Sequence, residues 1–214
     1  MYRYAEGAGA AATFAFIKDI DFLSSTELIC SDKGNHCLRL VNFTFFPPQT
    51  YKFAGKCTQS GNVDGHRVNS ALFRQPKNIE VNNDNLTLFV IYSVNALLRM
   101  IDLRTDDVTT LITLDPLGKD MKLIGSSMLY IAQTTRVTVY NLSTREKNNV
   151  AGGTSSGLAV GSFEDTRFND AFRLLLWPDE VKVLLLVLDF TANRFASFLL
   201  PCKCINLFLV LILK

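Results

Sequence analysis

Leu28-Ile29-Cys30-Ser31-Asp32-Lys33-Gly34-Asn35-His36-Cys37-Leu38-Arg39 is the stretch whose reading decides the fold. Glu27-Leu28-Ile29-Cys30-Ser31 has the length and apolar content of a strand. Asp32-Lys33-Gly34-Asn35 carries turn-forming residues, and Cys37-Leu38-Arg39-Leu40-Val41 returns as a second strand. The same order recurs. Thr87-Leu88-Phe89-Val90-Ile91 leads through Ser93-Val94-Asn95 into Leu97-Leu98-Arg99-Met100-Ile101. Ser127-Met128-Leu129-Tyr130-Ile131 leads through Gln133-Thr134-Thr135 into Val137-Thr138-Val139-Tyr140. A fourth copy starts at Leu184-Leu185-Leu186-Val187-Leu188-Asp189 and passes through Thr191-Ala192-Asn193-Arg194.

Two further elements accompany these hairpins. A phenylalanine-centred segment stands ahead of three of them: Ala12-Thr13-Phe14, Ala71-Leu72-Phe73 and Thr166-Arg167-Phe168. The phenylalanines are separated by 73 − 14 = 59 and 168 − 73 = 95 residues. The longer gap is roughly two periods of about 48, in the range of propeller and solenoid repeats. Another strand follows each of the first three hairpins, at Tyr51-Lys52-Phe53-Ala54-Gly55, Val108-Thr109-Thr110-Leu111-Ile112 and Asn149-Val150-Ala151-Gly152-Gly153. Short Val-, Ile-, Leu-, Thr- and Phe-rich runs between Gly, Asn, Asp and Ser clusters predict an all-β chain.

These residues resemble the NHL-repeat family of β-propellers. That unit runs through a segment like Ala-x-Phe-x-x-Pro-x-Gly-Ile, then an apolar strand ending in Asp, then a Gly-Asn-His turn and a basic residue. Residues 28–39 are the nearest copy, and the likeness extends over most of residues 6–195. The chain departs from the unit at named places. The proline is kept at Pro76 and replaced at Ile17 and Ala171, Tyr92 stands where the strand-ending Asp belongs, and Ala192 replaces the turn Asn. The resemblance implies a β-propeller-like array of about four antiparallel blades, incomplete or open because propellers close with four to eight blades and NHL-like ones with about six, a closed four-bladed ring being the alternative. Residues 1–195 are expected to form this partial propeller, beginning in a loop at Glu6-Gly7-Ala8-Gly9. Residues 196–214 are expected to form an atypical hydrophobic tail.

Charge says little about partners. The 214 residues carry 22 Lys and Arg against 20 Asp and Glu, a formal charge of +2 without a basic stripe, which disfavours nucleic acid. From Phe195 to Leu213 the chain is nearly all apolar, interrupted by Pro201, Lys203 and Asn206. A spanning helix needs roughly 20 apolar residues and a central Lys costs about 2.5–3.5 kcal/mol. A membrane contact, a buried strand and an unfolded terminus are all open readings of this tail. Met1–Gly7 lacks the charged start and apolar run of a secretory signal.

The cysteines are Cys30, Cys37, Cys57, Cys202 and Cys204, and no spacing among them matches a zinc site. If Lys33-Gly34 is a two-residue turn, Cys30 and Cys37 fall opposite each other, about 5.5 Å or less apart at Cα and within disulfide reach. The pair is alternatively two small apolar residues of a blade, and a Cys37–Cys57 link is also open. Three sequons, at Asn42, Asn85 and Asn141, are candidate glycosylation sites and favour an extracellular or membrane-associated setting.

Catalytic signatures do not emerge. His36 and His66 are the only histidines, and neither has a partner at metal-ligand spacing. Gly152-Gly153-Thr154-Ser155-Ser156-Gly157 lacks the Gly-Lys-Ser/Thr and following helix of a phosphate loop, so it reads as an inter-blade connection. Asp19, Asp21, Asp32, Glu80, Asp102 and Asp189 lie at strand ends, where carboxylates bond turn backbone. Arg39 and Arg99 are repeat-equivalent. They are expected either to cross their blade toward an Asp or carbonyl, or to line a partner-binding rim. Trp177, read as lying in a loop before Pro178, is a third rim candidate.

The expected function is a non-enzymatic interaction or scaffold module that binds a protein or glycan through propeller loops, as part of a larger extracellular protein, with no cofactor or metal. Further blades or self-association would complete the array. The alternative is a metal-dependent propeller hydrolase or lyase of the lactonase-like or amidating-lyase-like kind. RNA binding, as in the NHL domains of tripartite-motif proteins, would need a basic aromatic surface that the sequence lacks.

Overall fold

The computed structural model describes residues 4–82, 84, 86–92, 94–115, 117–157, 166–178, 183–189 and 194–199, with backbone alone at 176–178, 183–186 and 194–199. The described chain is all-β and forms four antiparallel sheets in two compact units, Met1–Leu117 and Gly118–Lys214.

In the first unit, β1 (Gly7–Ala8), β2 (Ile17–Phe22), β3 (Glu27–Asp32), β4 (Cys37–Asn42) and β5 (Gln49–Ala54) build the first sheet, ordered β1-β5-β4-β3-β2. The second sheet repeats that plan. It joins β6 (Gly65–His66), β7 (Pro76–Val81), β8 (Thr87–Tyr92), β9 (Leu97–Asp102) and β10 (Asp107–Thr113) in the order β6-β10-β9-β8-β7. The uninterrupted apolar character of Leu88-Phe89-Val90-Ile91 follows from its place: β8 is buried at every residue, so both faces need apolar side chains.

The second unit holds the third sheet, β11 (Gly118–Ile124), β12 (Met128–Gln133), β13 (Arg136–Asn141) and β14 (Lys147–Gly152), in chain order. Its fourth sheet is β15 (Ala171–Pro178), β16 (Val183–Asp189) and β17 (Arg194–Leu199).

The repeat is visible in the irregularities. Each sheet's leading long strand breaks register near its start, at Ile17/Ile20, Pro76/Asn78, Gly118/Asp120 and Ala171/Arg173. A second bulge falls opposite Leu38/Arg39, Leu98/Arg99 and Val137/Thr138 in the first three sheets. Bulges re-aim side chains and add twist, so recurrence at matching offsets marks copies of one unit.

Within the first unit, Ile29, Leu38 and Phe53 pack with Ile79, Leu88, Val90 and Ile101 of the second sheet. Burying each such side chain contributes about 1.5–3 kcal/mol. Polar bonds fix the alignment: Asp19 Oδ2 accepts the Ile79 N–H at 3.0 Å, Asp21 Oδ2 accepts the Val81 N–H at 2.8 Å, and the Ser31 hydroxyl donates to Lys77 O at 2.9 Å. In the second unit, Ala132, Val137 and Val139 of the third sheet pack with Phe168, Leu174 and Val187. There Asp120 Oδ2 accepts the Leu174 N–H at 2.8 Å.

Three expectations are corrected by the backbone. Gly7–Ala8, read as loop, is a strand paired with β5. Trp177 lies within β15. The hairpin between β3 and β4 closes through Lys33–His36, with His36 left-handed at φ 60°, rather than through Lys33-Gly34. Register therefore sets Asp32 opposite Cys37 and Cys30 opposite Arg39. The disulfide is Cys37–Cys57, Cα atoms 5.0 Å apart, and Cys30 is a free buried thiol that burial pushes up to about 12.

The expected boundary at 195/196 falls inside β17, and residues 200–214 of the tail lie outside the described residues. Among the described residues no helix is long and apolar enough to cross a membrane.

Candidate functional site

Every sheet carries a chemical lock at the end of its second long strand. In the first sheet the lock is Asp32, the last residue of β3. Its Oδ1 accepts the Ala15 N–H at 2.8 Å, and its Oδ2 accepts Asn35 Nδ2 at 2.8 Å and Arg39 Nη1 at 3.2 Å. Arg39 also donates to Thr13 O at 3.1 Å and Ala5 O at 2.7 Å, and its guanidinium lies 4.5 Å from the Tyr4 ring centroid and 5.0 Å from that of Phe14.

Tyr92 takes the place of Asp32 in the second sheet. Its hydroxyl accepts Arg99 Nη1 at 3.2 Å, while Arg99 donates to Leu72 O at 2.8 Å and Val63 O at 2.6 Å. These carbonyls match those of Thr13 and Ala5, since both segments form the same kind of isolated bridge, Ala5 to Thr13 and Val63 to Leu72. The lost carboxylate is supplied from elsewhere: Asp64 Oδ1 lies 2.6 Å from Arg99 Nη2. Phe73 meets Tyr92 edge-to-face at 5.7 Å between centroids.

The third sheet uses a neutral lock, Thr138 Oγ1 donating to Gln133 Oε1 at 3.0 Å. In the fourth, Asp189 receives the N–H groups of Asn169 at 2.8 Å and Asp170 at 3.2 Å, as Asp32 receives that of Ala15.

Arg39 and Arg99 thus leave the list of rim residues. Both side chains are 0% exposed, spent on carbonyls, carboxylates and ring faces inside their blades. The other half of the sequence expectation, an arginine crossing the blade, is what the geometry contains. The Trp177 side chain lies outside the described residues.

The sequons have a local structural use. Asn42 Oδ1 accepts the Thr44 N–H at 2.9 Å and Asn141 Oδ1 accepts the Ser143 N–H at 2.9 Å. Asp102 ends β9 as those residues end β4 and β13, and its Oδ1 accepts the Arg104 N–H at 2.8 Å. An oxygen acceptor two residues before the donor makes the Asx turn that closes each strand. Asn85 lies outside the described residues.

The remaining candidates are also engaged. His36 Nδ1 accepts the Gln75 N–H at 3.2 Å, and burial lowers its basicity. His66 Nδ1 accepts the Val68 N–H at 3.2 Å. Gly152 has φ 84°, and a side chain there would collide with the carbonyl of Thr135, so this glycine serves the backbone. Among the described residues no group of three or more His, Cys, Asp and Glu side chains converges as metal ligands would.

The sequence reading missed the loop from Phe43 to Pro48 between β4 and β5. Phe43 is 48% exposed, Phe45 51% and Phe46 100%. Pro48 O accepts the Gly9 N–H at 2.9 Å, bracing the loop against the segment after β1. The available signal was three phenylalanines and two prolines where an ordinary hairpin turn would be polar.

No protein-family model matches the chain, and no curated protein matches it. Solved structures do. A Nidogen/Laminin complex matches with TM-score 0.61 and 11% identity over 87% of this chain and 60% of that one. A candidate 6-phosphogluconolactonase from Bacteroides uniformis matches with TM-score 0.58 and 10% identity over 93% and 55%. An auxiliary nutrient binding protein from Bacteroides ovatus matches with TM-score 0.54 and 14% identity over 91% and 58%. At these identities the likeness shows the fold: the sheets are blades of the β-propeller type. The chain spans 55–60% of the length of these three proteins.

Proposed function

We propose that the chain is a non-enzymatic binding module of NHL-type propeller repeats that presents its β4–β5 loop to a protein or glycan partner. The observation that carries this reading is the exposed trio Phe43, Phe45 and Phe46 on a braced loop. Aromatic side chains offer large rigid contact area at low entropic cost and dominate binding hot spots. The matching locks at Asp32–Arg39 and Tyr92–Arg99 support the repeat type, since both follow the strand, turn and basic-residue order of that unit. A Cys37–Cys57 disulfide supports an oxidising, extracellular setting. Nutrient-binding proteins of the same fold are compatible with a recognition role, although fold alone carries no function.

The metal-dependent hydrolase is the weaker reading. Asp19, Asp21 and Asp120 on the leading strands already accept backbone N–H groups of the adjoining blade. The test is a glycan array and a panel of extracellular protein domains, probed with the full chain and with Phe45→Ser/Phe46→Ser. The reading expects a ligand whose affinity falls at least about tenfold, roughly 1.4 kcal/mol, in the variant. Divalent-metal-dependent hydrolysis of a lactone would favour the alternative.

A further inference from the structure

We propose that the open face of the first sheet, centred on Ile20 and Phe22, is an interface on which a second copy of this chain docks. Register places these side chains together: Ile20 pairs with Cys30 and Phe22 with Leu28, whereas Asp21 pairs with Ile29 on the face turned to the second sheet. The repeat then says what such a face is for. Ile20 and Phe22 are the fourth and sixth residues of β2, as Ile79 and Val81 are of β7. Leu28 and Val41 correspond in the same way to Leu88 and Ile101.

In the second sheet these positions pack against the first sheet, and Ile79 is 2% exposed. In the first sheet Ile20 is 56% exposed and Phe22 61%. The first sheet thus carries the apolar residues of a blade interface at exposed positions.

The polar half of the interface is marked too. Ile79 and Val81 donate their N–H groups to Asp19 and Asp21 of the adjoining blade, and Leu174 donates to Asp120. The Phe22 N–H, counterpart of that of Val81, turns instead to the carboxylate of its own neighbour Asp21 at 2.8 Å. What fits this face is therefore a sheet of the same repeat, apolar and stacked at about 10 Å. A second copy brings such sheets. This inference stands apart from the aromatic loop and its ligand.

The experiment is sedimentation velocity and light scattering on the full chain of 23.9 kDa. The expected result is a species of at least 2 × 23.9 = 47.8 kDa that falls to 23.9 kDa in Ile20→Lys/Phe22→Lys, with the far-ultraviolet dichroism unchanged. Phe46→Lys, on the exposed loop, is expected to remain associated. A second readout does not depend on the charged variant folding: a photo-crosslinker on Phe22→Cys is expected to yield covalent pairs of chains. A wild-type chain that sediments as one copy, association that survives the double substitution, or a crosslinker that joins no two chains would each overturn the proposal.

Discussion

The carboxylate of Asp120 on β11 receives the backbone N–H of Leu174 on β15 at 2.8 Å. In the other unit Asp19 on β2 receives that of Ile79 on β7 at 3.0 Å. In both cases the acceptor is the third residue of a leading strand, at its bulge, and the donor is the fourth residue of the next. A strand edge presents unpaired donors that need partners, and these carboxylates supply them between sheets that share no ladder.

Asp120 and Asp106 are predicted to respond oppositely to pH. Burial holds the Asp120 carboxyl above its ordinary value of 3.8. Its contribution is then full below 3.8 and declines as pH rises toward the raised folded value. The Arg67 guanidinium, 2.6 Å away, holds Asp106 below 3.8, so its contribution is present above 3.8 and disappears as pH falls through the folded value. In urea unfolding, the gap between wild type and Asp120→Asn should shrink with rising pH, and that for Asp106→Asn should grow. Parallel slopes would contradict the assignment.

Arg39→Met should cost more than Arg99→Met. The first strands the fully buried carboxylate of Asp32, a loss of about 3–5 kcal/mol. The second leaves a neutral Tyr92 hydroxyl and an Asp64 that solvent reaches, about 1–3 kcal/mol. Equal losses in denaturant titrations would mean that the two locks are not chemically distinct.

Removing the Cys37–Cys57 bridge, as Cys37→Ala/Cys57→Ser, should lower stability by about 3 kcal/mol, from loop-closure entropy over a separation of 20 residues. Peptide mapping without reduction should find Cys37 joined to Cys57 and Cys30 alkylated only after unfolding. A Cys30–Cys37 peptide would refute the register.

Asn141→Asp should be tolerated, because Asp102 performs the same turn closure in the second sheet. Asn42→Asp should be destabilising, because Asn42 Nδ2 also donates to the Glu27 carboxylate at 3.1 Å and an aspartate would repel it. Alanine at either position should cost about 0.5–1.5 kcal/mol, measured as a lower unfolding midpoint. Asn141→Ala as stable as Asn141→Asp would remove the turn from the account.

Hairpins were legible because strand periodicity is local: Leu28–Arg39 and Thr87–Ile101 show their apolar runs and turns without help from tertiary contacts. Register was not. The β3–β4 turn includes His36 in a left-handed conformation that sequence assigns to glycine or asparagine first, and this moved the pairing by two residues. Sequence leaves Arg39 and Arg99 open to a rim as well as to the blade interior, because a charged side chain is normally exposed. Their burial depends on Asp32, Asp64 and the carbonyls of Ala5 and Val63, partners brought near only by folding. The exposed loop at Phe43–Pro48 was not legible, because apolar side chains in sequence read as buried and only the folded chain leaves Phe46 fully exposed.

Copies of one blade should protect equivalent amides alike, and native-state hydrogen exchange resolved by residue measures this directly. Amides of Ile79 and Leu174 should exchange as slowly as their neighbours in the ladders, and Asp19→Ala and Asp120→Ala should each release the matching amide alone. Exchange of either amide at the rate of an unstructured peptide in the wild-type chain would contradict the account.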